Sequence, residues 1–187
     1  MTAEKATPLL LGEKILIRAL TEEDLPALEW GGEYAHFRNL YRRTYEEMLL
    51  GSRLMMVAVR ATTGEIVGQV FLQYSSGDPR FADGNTRGYI YALRVKAAYQ
   101  SQGIGRQLIH AAEAHLRQRG MRLATIGVAK SNARAQRLYE RLGYRVLGED
   151  EGRWTYLDER GNLREVNEPS WLMGHPLDSR VSRGNAS

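Results

Sequence analysis

The order of helix and strand signals along this chain predicts an α/β fold. Between residues 88 and 143 a β-like run is followed by an amphipathic helix, a second strand and a short helix, which implies two parallel strands joined by a helical crossover. The composition is that of a globular domain, because 43% of the 187 residues are hydrophobic and 26% are charged. A chain of this length buries a core that folds without disulfides or a structural metal.

The first part of the chain combines a strand with two helices. Residues 14–19 alternate in polarity and predict a strand, and Thr21, followed by three acidic residues, is typical of a helix N-cap. An aromatic stripe at spacings of three and four predicts a second helix between Gly32 and Gly51. We interpret the stripe as core packing, with a substrate pocket as the alternative. It consists of Tyr34, Phe37, Tyr41, Tyr45 and Met48.

A hairpin and a long loop follow. Residues 54–60 and 66–74 are β-rich runs separated by a short turn that contains glycine, which predicts an antiparallel hairpin. The polar stretch 75–87 predicts a surface loop. It is longer than most connections, and such loops are often functional or mobile.

The second half of the chain contains the crossover and the closing strands. Residues 88–95 and 122–129 predict the parallel strands, and residues 103–119 predict the helix between them, ending at Gly120. A short helix with Asn132 as its N-cap follows. The remaining β material is predicted in residues 144–147, 152–158 and 163–177, with a hairpin turn over residues 158–162.

Charge and cysteine content narrow the class of function. The chain has no cysteine, so it lacks disulfides, thiolate zinc sites and a cysteine nucleophile, and we expect a reducing cytoplasm. The net charge is +4, but basic and acidic residues are interleaved, and we expect no nucleic-acid partner. The cluster Arg134, Arg137 and Arg141 is interpreted as a solvated helix face, with an anionic ligand as the alternative. We expect neither a membrane span nor a secretory signal.

The segment with the clearest chemical signal is Gln100-Ser-Gln-Gly-Ile-Gly-Arg106, at the start of the predicted crossover helix. Glycines at 103 and 105 let the backbone approach a ligand, and the free N–H groups of a helix start bind phosphate. A P-loop and a Rossmann motif do not fit, because the Gly-Lys-Ser/Thr of the first and the third glycine of the second are missing. The segment therefore predicts a backbone cradle for phosphate.

This segment resembles the Gln/Arg-x-x-Gly-x-Gly/Ala signature of the GNAT acetyltransferases. Two further motifs occur in that family's order: Leu93-Arg94-Val95 is similar to its pantetheine-pairing strand, and Asn132 to Tyr144 resembles its Asn-x-x-Ala-x-x-Leu-Tyr-x-x-x-Gly-Phe/Tyr motif. The resemblance implies a mixed, mostly antiparallel central sheet of about seven strands with flanking helices. It also implies one domain over residues 1–178, and the residues that follow predict a flexible tail over 179–187.

The resemblance further implies direct transfer of an acetyl group from acetyl-CoA to a primary amine of a small molecule or peptide, in a ternary complex. Tyr139 would be the general acid at the departing sulfur, although its helical spacing is also that of a core residue. Asn132 would contact pantetheine, although it is also a plain N-cap. The residues expected to bind acetyl-CoA are Leu93, Arg94, Val95, Gln100, Ser101, Gln102, Gly103, Ile104, Gly105, Arg106 and Asn132.

The sequence departs from the family at the general base. Many relatives place a glutamate on the strand after the cofactor helix, and motif spacing puts Gly127 at that position. The base is left open among a water chain, Tyr91, Asp83 and Glu33. We expect no metal, because the two histidines of the crossover helix are five residues apart and do not share a face.

Several alternatives remain open at this point. Gly127 favours a non-catalytic acetyl-CoA-binding module, and the positive charge favours a nucleic-acid-binding domain. The acceptor pocket is expected from residues 75–87 and 30–50, and otherwise from the C-terminal strands. On those strands the candidate residues are Trp154, Tyr156 and Trp171. The sequence determines neither the acceptor amine nor the oligomeric state, with a homodimer as one option.

Overall fold

A seven-stranded mixed sheet forms the centre of the molecule. The computed structural model describes residues 13–177. The strands are β1 (Ile15–Ala19), β2 (Arg53–Arg60), β3 (Ile66–Gln73), β4 (Arg87–Val95), β5 (Leu123–Ala129), β6 (Arg145–Asp150), β7 (Arg153–Leu157), β8 (Leu163–Asn167) and β9 (Ser170–Pro176). The sheet has the order β1-β2-β3-β4-β5-β9-β6, and β7 and β8 form a separate ribbon. Only β4 and β5 pair in parallel, which confirms the predicted mixed, mostly antiparallel sheet.

Helices cover both faces of this sheet. They are α1 (Arg38–Leu49), α2 (Ile104–Gln118) and α3 (Ala133–Arg141), and 3₁₀ segments span Glu22–Gly32, Ala35–Phe37 and Ala97–Tyr99. The helix predicted between Gly32 and Gly51 is shorter than expected, since its α-helical part begins only at Arg38. The reason lies between Gly32 and Arg38, where Tyr34 (φ −114°, ψ +22°) and Phe37 (φ −95°, ψ +4°) depart from α-helical dihedral angles, so that Ala35–Phe37 forms a short 3₁₀ segment instead.

Each face of the sheet has its own apolar core. On one face the predicted apolar stripe of α2 is fully buried, and α3 packs beside it. On the other face α1 and the first 3₁₀ segment cover β2 and β3. Tyr41 of the aromatic stripe is 3% exposed, and its other members pack around this second core, as the interpretation as core packing expects. Phe37 and Tyr41 also line a cavity, so the alternative of a pocket holds for these two. Each fully buried leucine or isoleucine stabilises the fold by roughly 1.5–3 kcal/mol.

The sheet opens between β4 and β5. The two strands pair only from Arg87 with Leu123 to Ile90 with Ile126, and beyond that point each continues beside its other neighbour. A bulge in β4 lies at the same level, where Ala92 has φ of +51° and the pairing with β3 shifts. Because a bulge bends its strand, it turns β4 away from β5 and leaves the facing strand edges unpaired.

The long connection before β4 is a folded part of the domain. Ser75 bridges to Asp83, Ala82 is fully buried, and the Thr125 hydroxyl of β5 donates to the Phe81 carbonyl at 2.6 Å. The connection therefore packs against the sheet, where it can contribute to a site.

The C-terminal β material differs from the prediction in one place. Residues 163–177 form two strands, because Pro169 has no N–H to continue a ladder. The predicted hairpin turn is confirmed, with Asp158 accepting the backbone N–H groups of Arg160 and Asn162. The predicted tail over residues 179–187 lies outside the described residues. Within residues 13–177 no helix is long and apolar enough to cross a membrane.

Candidate active site

The segment predicted to bind phosphate lies at the start of α2. Ser101 and Gly103 have φ of +62° and +83°, and the helix begins at the next residue, Ile104. A side-chain carbon added at Gly103 would meet no heavy atom within 4 Å, so the space above this backbone is open. The first N–H groups of a helix have no partner within it and carry the positive end of its dipole. The segment thus offers backbone donors to an anionic group.

Arg134 of α3 adds a side-chain cation to this cradle. Its Nη1 donates to Gln100 Oε1 at 2.7 Å and its Nη2 donates to the Ser101 hydroxyl at 3.1 Å. Gln100 Nε2 in turn donates to the Val95 carbonyl at 2.9 Å, which ties the end of β4 to the cradle. Sequence reasoning missed this place for Arg134, because helical spacing alone indicated a solvated face. The sequence feature that could have indicated this place is the position of Arg134 two residues after Asn132, within the motif Asn132 to Tyr144.

The three residues predicted on the pantetheine strand lie on two faces of the sheet. Leu93 and Val95 pack toward the α2 core, and a side-chain carbon added at Gly105 would lie 3.9 Å from Val95 Cγ2, so α2 starts next to this edge. Arg94 points to the opposite face, where its Nη1 donates to the Tyr41 hydroxyl at 2.6 Å. The backbone edge of β4 is open toward β5, but the Arg94 guanidinium lies away from the cradle.

Asn132 and Tyr139 lie on α3 beside the same opening. Asn132 Oδ1 accepts the backbone N–H of Ala135 at 3.0 Å, so it is an N-cap. Tyr139 is 7% exposed, and burial raises the pKa of its hydroxyl to about 12. It is therefore protonated at neutral pH, which a proton donor requires. No hydrogen bond joins this hydroxyl to any residue between 13 and 177.

A cavity of about 650 Å³ lies on the α1 face of the opening. It is lined by α1, by part of the connection before β4, by β4 and β5, and by the region around β7. Both segments predicted to form the acceptor pocket contribute to it, and so does Trp154 from the C-terminal strands. Tyr156 and Trp171 are not among the lining residues. The cavity meets the opening at Tyr91 and Ala92 on one side and at Gly127 and Ala129 on the other.

Comparison with known families identifies the arrangement. The chain matches the model of the Acetyltransferase (GNAT) family over residues 17–144. The chain belongs to the GNAT acetyltransferase family. The GNAT fold is also found in solved structures of low sequence identity. The ribosomal-protein-S18-alanine N-acetyltransferase of Escherichia coli superposes with a TM-score of 0.64 at 21% identity, covering 92% of this chain and all of that one. The spermidine/spermine N-acetyltransferase of Vibrio cholerae gives a TM-score of 0.65 at 17% identity, covering 91% and 97%.

A curated GNAT relative is similar over a shorter segment. Over 70 residues the chain is 36% identical to the mycothiol acetyltransferase of Propionibacterium freudenreichii subsp. shermanii, a match that covers 37% of this chain and 22% of the relative. The chain thus corresponds to about a fifth of that relative's length. The GNAT match ends at residue 144, so β7 and the other C-terminal parts of the cavity lie beyond it.

The space beside Gly127, where motif spacing led us to expect the family's glutamate, is occupied by a side chain from a neighbouring strand. A side-chain carbon at Gly127 would lie 3.2 Å from the Tyr89 hydroxyl and 3.6 Å from the Phe81 ring. Burial raises the pKa of Tyr89 well above its ordinary value. Burial also raises the pKa of Tyr91, whose hydroxyl accepts Arg53 Nη1 at 2.6 Å. Both tyrosines are therefore neutral at pH 7 and are suited to orienting an amine or a water.

The carboxylates considered for the general base differ in whether they line the cavity. Asp83 accepts the Thr86 hydroxyl and three backbone N–H groups, which hold its pKa well below the usual range, and it does not line the cavity. Glu33 is exposed and also lies outside the cavity lining. The carboxylates that do line the cavity are Asp78, Asp150 and Glu168. Asp78 lies in the stretch 75–87 that was expected to supply the acceptor pocket, whereas no sequence signal distinguished Asp150 and Glu168, because their proximity to the opening depends on the closing strands.

No metal site accompanies these groups. Between residues 13 and 177 there is no cluster of three histidine or acidic side chains that could hold a metal ion.

Proposed function

We propose that this GNAT chain is an acetyl-CoA-dependent N-acetyltransferase that acts on a primary amine of a small molecule or peptide. The observation that carries the proposal is the continuity of three features. An anion cradle at the start of α2 adjoins the open edge of β4, and that edge borders a separate cavity on the α1 face. A long ligand with a phosphate end can lie along the first two features while an acceptor enters from the third.

The cradle and the β4 edge fit acetyl-CoA, which would supply the acetyl thioester. The backbone N–H groups from Ser101 to Arg106 and the Arg134 guanidinium would hold its pyrophosphate. The backbone of Leu93 and Val95 would pair with pantetheine as an added strand would. Asn132, beside this edge, would contact the same arm in addition to capping α3.

The chemistry we propose is direct transfer in a ternary complex. The amine nitrogen forms a bond to the thioester carbonyl carbon, and the carbon–sulfur bond breaks. The backbone N–H of Leu93 would stabilise the negative charge that develops on the carbonyl oxygen. Tyr139 would give its proton to the departing sulfur.

The amine also loses a proton, and we assign its uptake to Asp150 through water. Asp150 lines the cavity at the end of β6, and its carboxylate accepts the backbone N–H of Gly152 at 2.8 Å. Tyr89, which fills the space beside Gly127, would orient that water. Asp150→Asn should then lower turnover while acetyl-CoA affinity stays at the parent value, and unchanged turnover would remove Asp150 from this role.

Two measurements test the function as a whole. Calorimetric titration with acetyl-CoA checks the cradle, and release of the free thiol is then followed with polyamines, aminoglycosides, amino acids and peptides. We expect binding and thiol release with at least one amine. Binding without thiol release from any amine would instead favour the non-catalytic module, and absence of binding would reject both.

A further inference from the structure

Arg94 is a cationic side chain of the acceptor cavity whose contacts are aromatic and neutral. Its guanidinium carbon lies 4.2 Å from the centre of the Tyr34 ring and 5.0 Å from that of Phe37. Its Nη1 donates to the Tyr41 hydroxyl at 2.6 Å, and within residues 13–177 it forms no ion pair. These contacts hold the guanidinium in place and leave most of its N–H donors available.

The other arginines of the cavity all face a carboxylate. Arg53 pairs with Glu47, and Arg43 lies 3.5 Å from the same carboxylate. Arg153 lies 3.3 Å from Glu151. Arg94 is thus the lining arginine that the described part of the protein leaves for a ligand. A positioned guanidinium binds a planar anion through two parallel hydrogen bonds, which is the geometry a carboxylate offers.

Charge is divided across the cavity. Arg94 and the other cationic groups of α1, β2 and β4 lie on one side of the opening between β4 and β5. Asp150 at the end of β6 and Glu168 just before β9 lie on the other side. Two arginines also lie on the acidic side: Arg153, whose side chain is 71% exposed, and Arg80, whose side chain is 51% exposed and whose Nη2 lies 3.4 Å from Asp150. A ligand that carries both charges fits this division better than a simple cation does.

We propose that the acceptor amine belongs to a molecule that also carries a carboxylate, and that Arg94 binds this carboxylate. The inference rests on the proposed N-acetyltransferase function and names its substrate class: amino acids and longer ω-amino acids. The carboxylate lies against Arg94, and the amine points toward the opening and the acidic side of the cavity. Simple polyamines, which carry only positive charge, are poor acceptors.

We assign the anion bound by Arg94 to the acceptor and not to acetyl-CoA, because the Arg94 side chain lies on the face of the sheet opposite to the cradle. Arg94 faces Tyr41 and α1, whereas the anion cradle at Gly103 and Arg134 lies with α2 and α3. The sheet separates the two groups.

The test compares acceptors that differ only at the carboxylate. ω-Amino acids of increasing length, beginning with glycine, are compared with their primary amides and with alkylamines of equal length, and thiol release from acetyl-CoA is measured. At the best length we expect kcat/KM for the acid to exceed that for the amide by about tenfold or more, mainly through KM. In Arg94→Met this preference is lost, and in Arg94→Lys it is reduced. Arg145→Met, an exposed arginine of β6 outside the cavity, serves as the matched control and keeps the parent preference.

A binding measurement separates this inference from the proposed function. Calorimetry with an N-acetylated ω-amino acid and its amide needs no turnover. Tighter binding of the acid, lost in Arg94→Met, supports the inference even where no amine is acetylated, and in that case the proposed function fails alone. Acetyl transfer with equal kcat/KM for acid and amide overturns the inference and leaves the function standing. A preference for the acid that persists in Arg94→Met also overturns it. The comparison of acid and amide in the parent protein does not depend on how well any variant folds.

Discussion

The two sides of the opening between β4 and β5 are built in different ways. On the α2 side the groups that we propose to bind acetyl-CoA are mainly backbone N–H groups, and they come from the contiguous segment 93–106, with Asn132 and Arg134 as additions. On the α1 side the cavity is lined by residues from widely separated parts of the chain, from Phe37 in the segment before α1 to Ser170 in β9. Backbone recognition tolerates sequence change as long as the conformation is kept, whereas side-chain recognition changes with every substitution. The first side therefore suits a common donor and the second a particular acceptor.

The most severe test of the α2 side is a negative charge placed in its cradle. Gly103→Asp should lower acetyl-CoA affinity by about 100-fold or more, because like charges meet where the phosphates are expected. Gly120→Asp at the other end of α2 is the matched control, since both glycines have φ near +80° and open space around an added carbon. Calorimetry on both variants decides the matter. Equal acetyl-CoA affinity in the two would reject the cradle.

The next test concerns the one side chain of this region that is proposed to take part in the chemistry. Tyr139→Phe keeps the buried ring and removes the proton donor, so turnover should fall roughly 100-fold while acetyl-CoA affinity stays nearly unchanged. Tyr74→Phe is a suitable control. Tyr74 is also 7% exposed, but its hydroxyl is hydrogen-bonded to His115 near the C-terminal end of α2, far from the cradle. If Tyr139→Phe has the same turnover as the parent when the chemical step limits the rate, Tyr139 is not the proton donor and only packs in the core.

A third test examines the α1 side, at the contact between β4 and β5 where the two strands border the opening. Gly127→Ala should destabilise the fold by about 1 kcal/mol, because the added carbon would crowd the Tyr89 hydroxyl at 3.2 Å. In a Tyr89→Phe background the same change should be less destabilising, since the crowding atom is gone. Urea unfolding of the two single variants and the double variant gives the coupling energy. If the changes in the free energy of unfolding of the two single variants add up to that of the double variant, Tyr89 does not occupy the space beside Gly127.

The smallest expected effect concerns the ribbon that carries Trp154 to the cavity. Although burial acts to raise it, hydrogen bonds from Asn162 and Arg164 lower the pKa of Asp158 to about 2. The folded-state pKa lies below the unfolded value, so this group's contribution to stability is present above about pH 4 and is lost as the pH falls toward 2. Asp158→Asn should therefore destabilise the protein at pH 7, and its difference from the parent should shrink near pH 2. Urea unfolding at both pH values checks the trend, and a difference that does not depend on pH would contradict it.

Local order could be predicted from the sequence because it depends on residues close together along the chain. The cradle at Gly103, the buried face of α2 and the parallel pair β4 and β5 follow from a helix start, a helical period and a strand-helix-strand order. The late start of α1 could not be predicted in the same way. The aromatic stripe continues through the segment before Arg38, and only the backbone conformation of Tyr34 and Phe37 keeps that segment out of the α-helix.

By itself the sequence determined the family, the α/β sheet and the helix start that we propose as the donor cradle, since each depends on motifs or periodicities within a few turns of chain. Only the tertiary structure decided what the acceptor side contains. Tyr89 fills the space at Gly127 because β4 and β5 lie side by side, and Arg94 enters the cavity because the bulge at Ala92 sets which face it occupies. Asp150 reaches the same cavity from a strand near the end of the chain. Such contacts join residues that are far apart in sequence, so no local pattern encodes them, and they form only when the sheet closes.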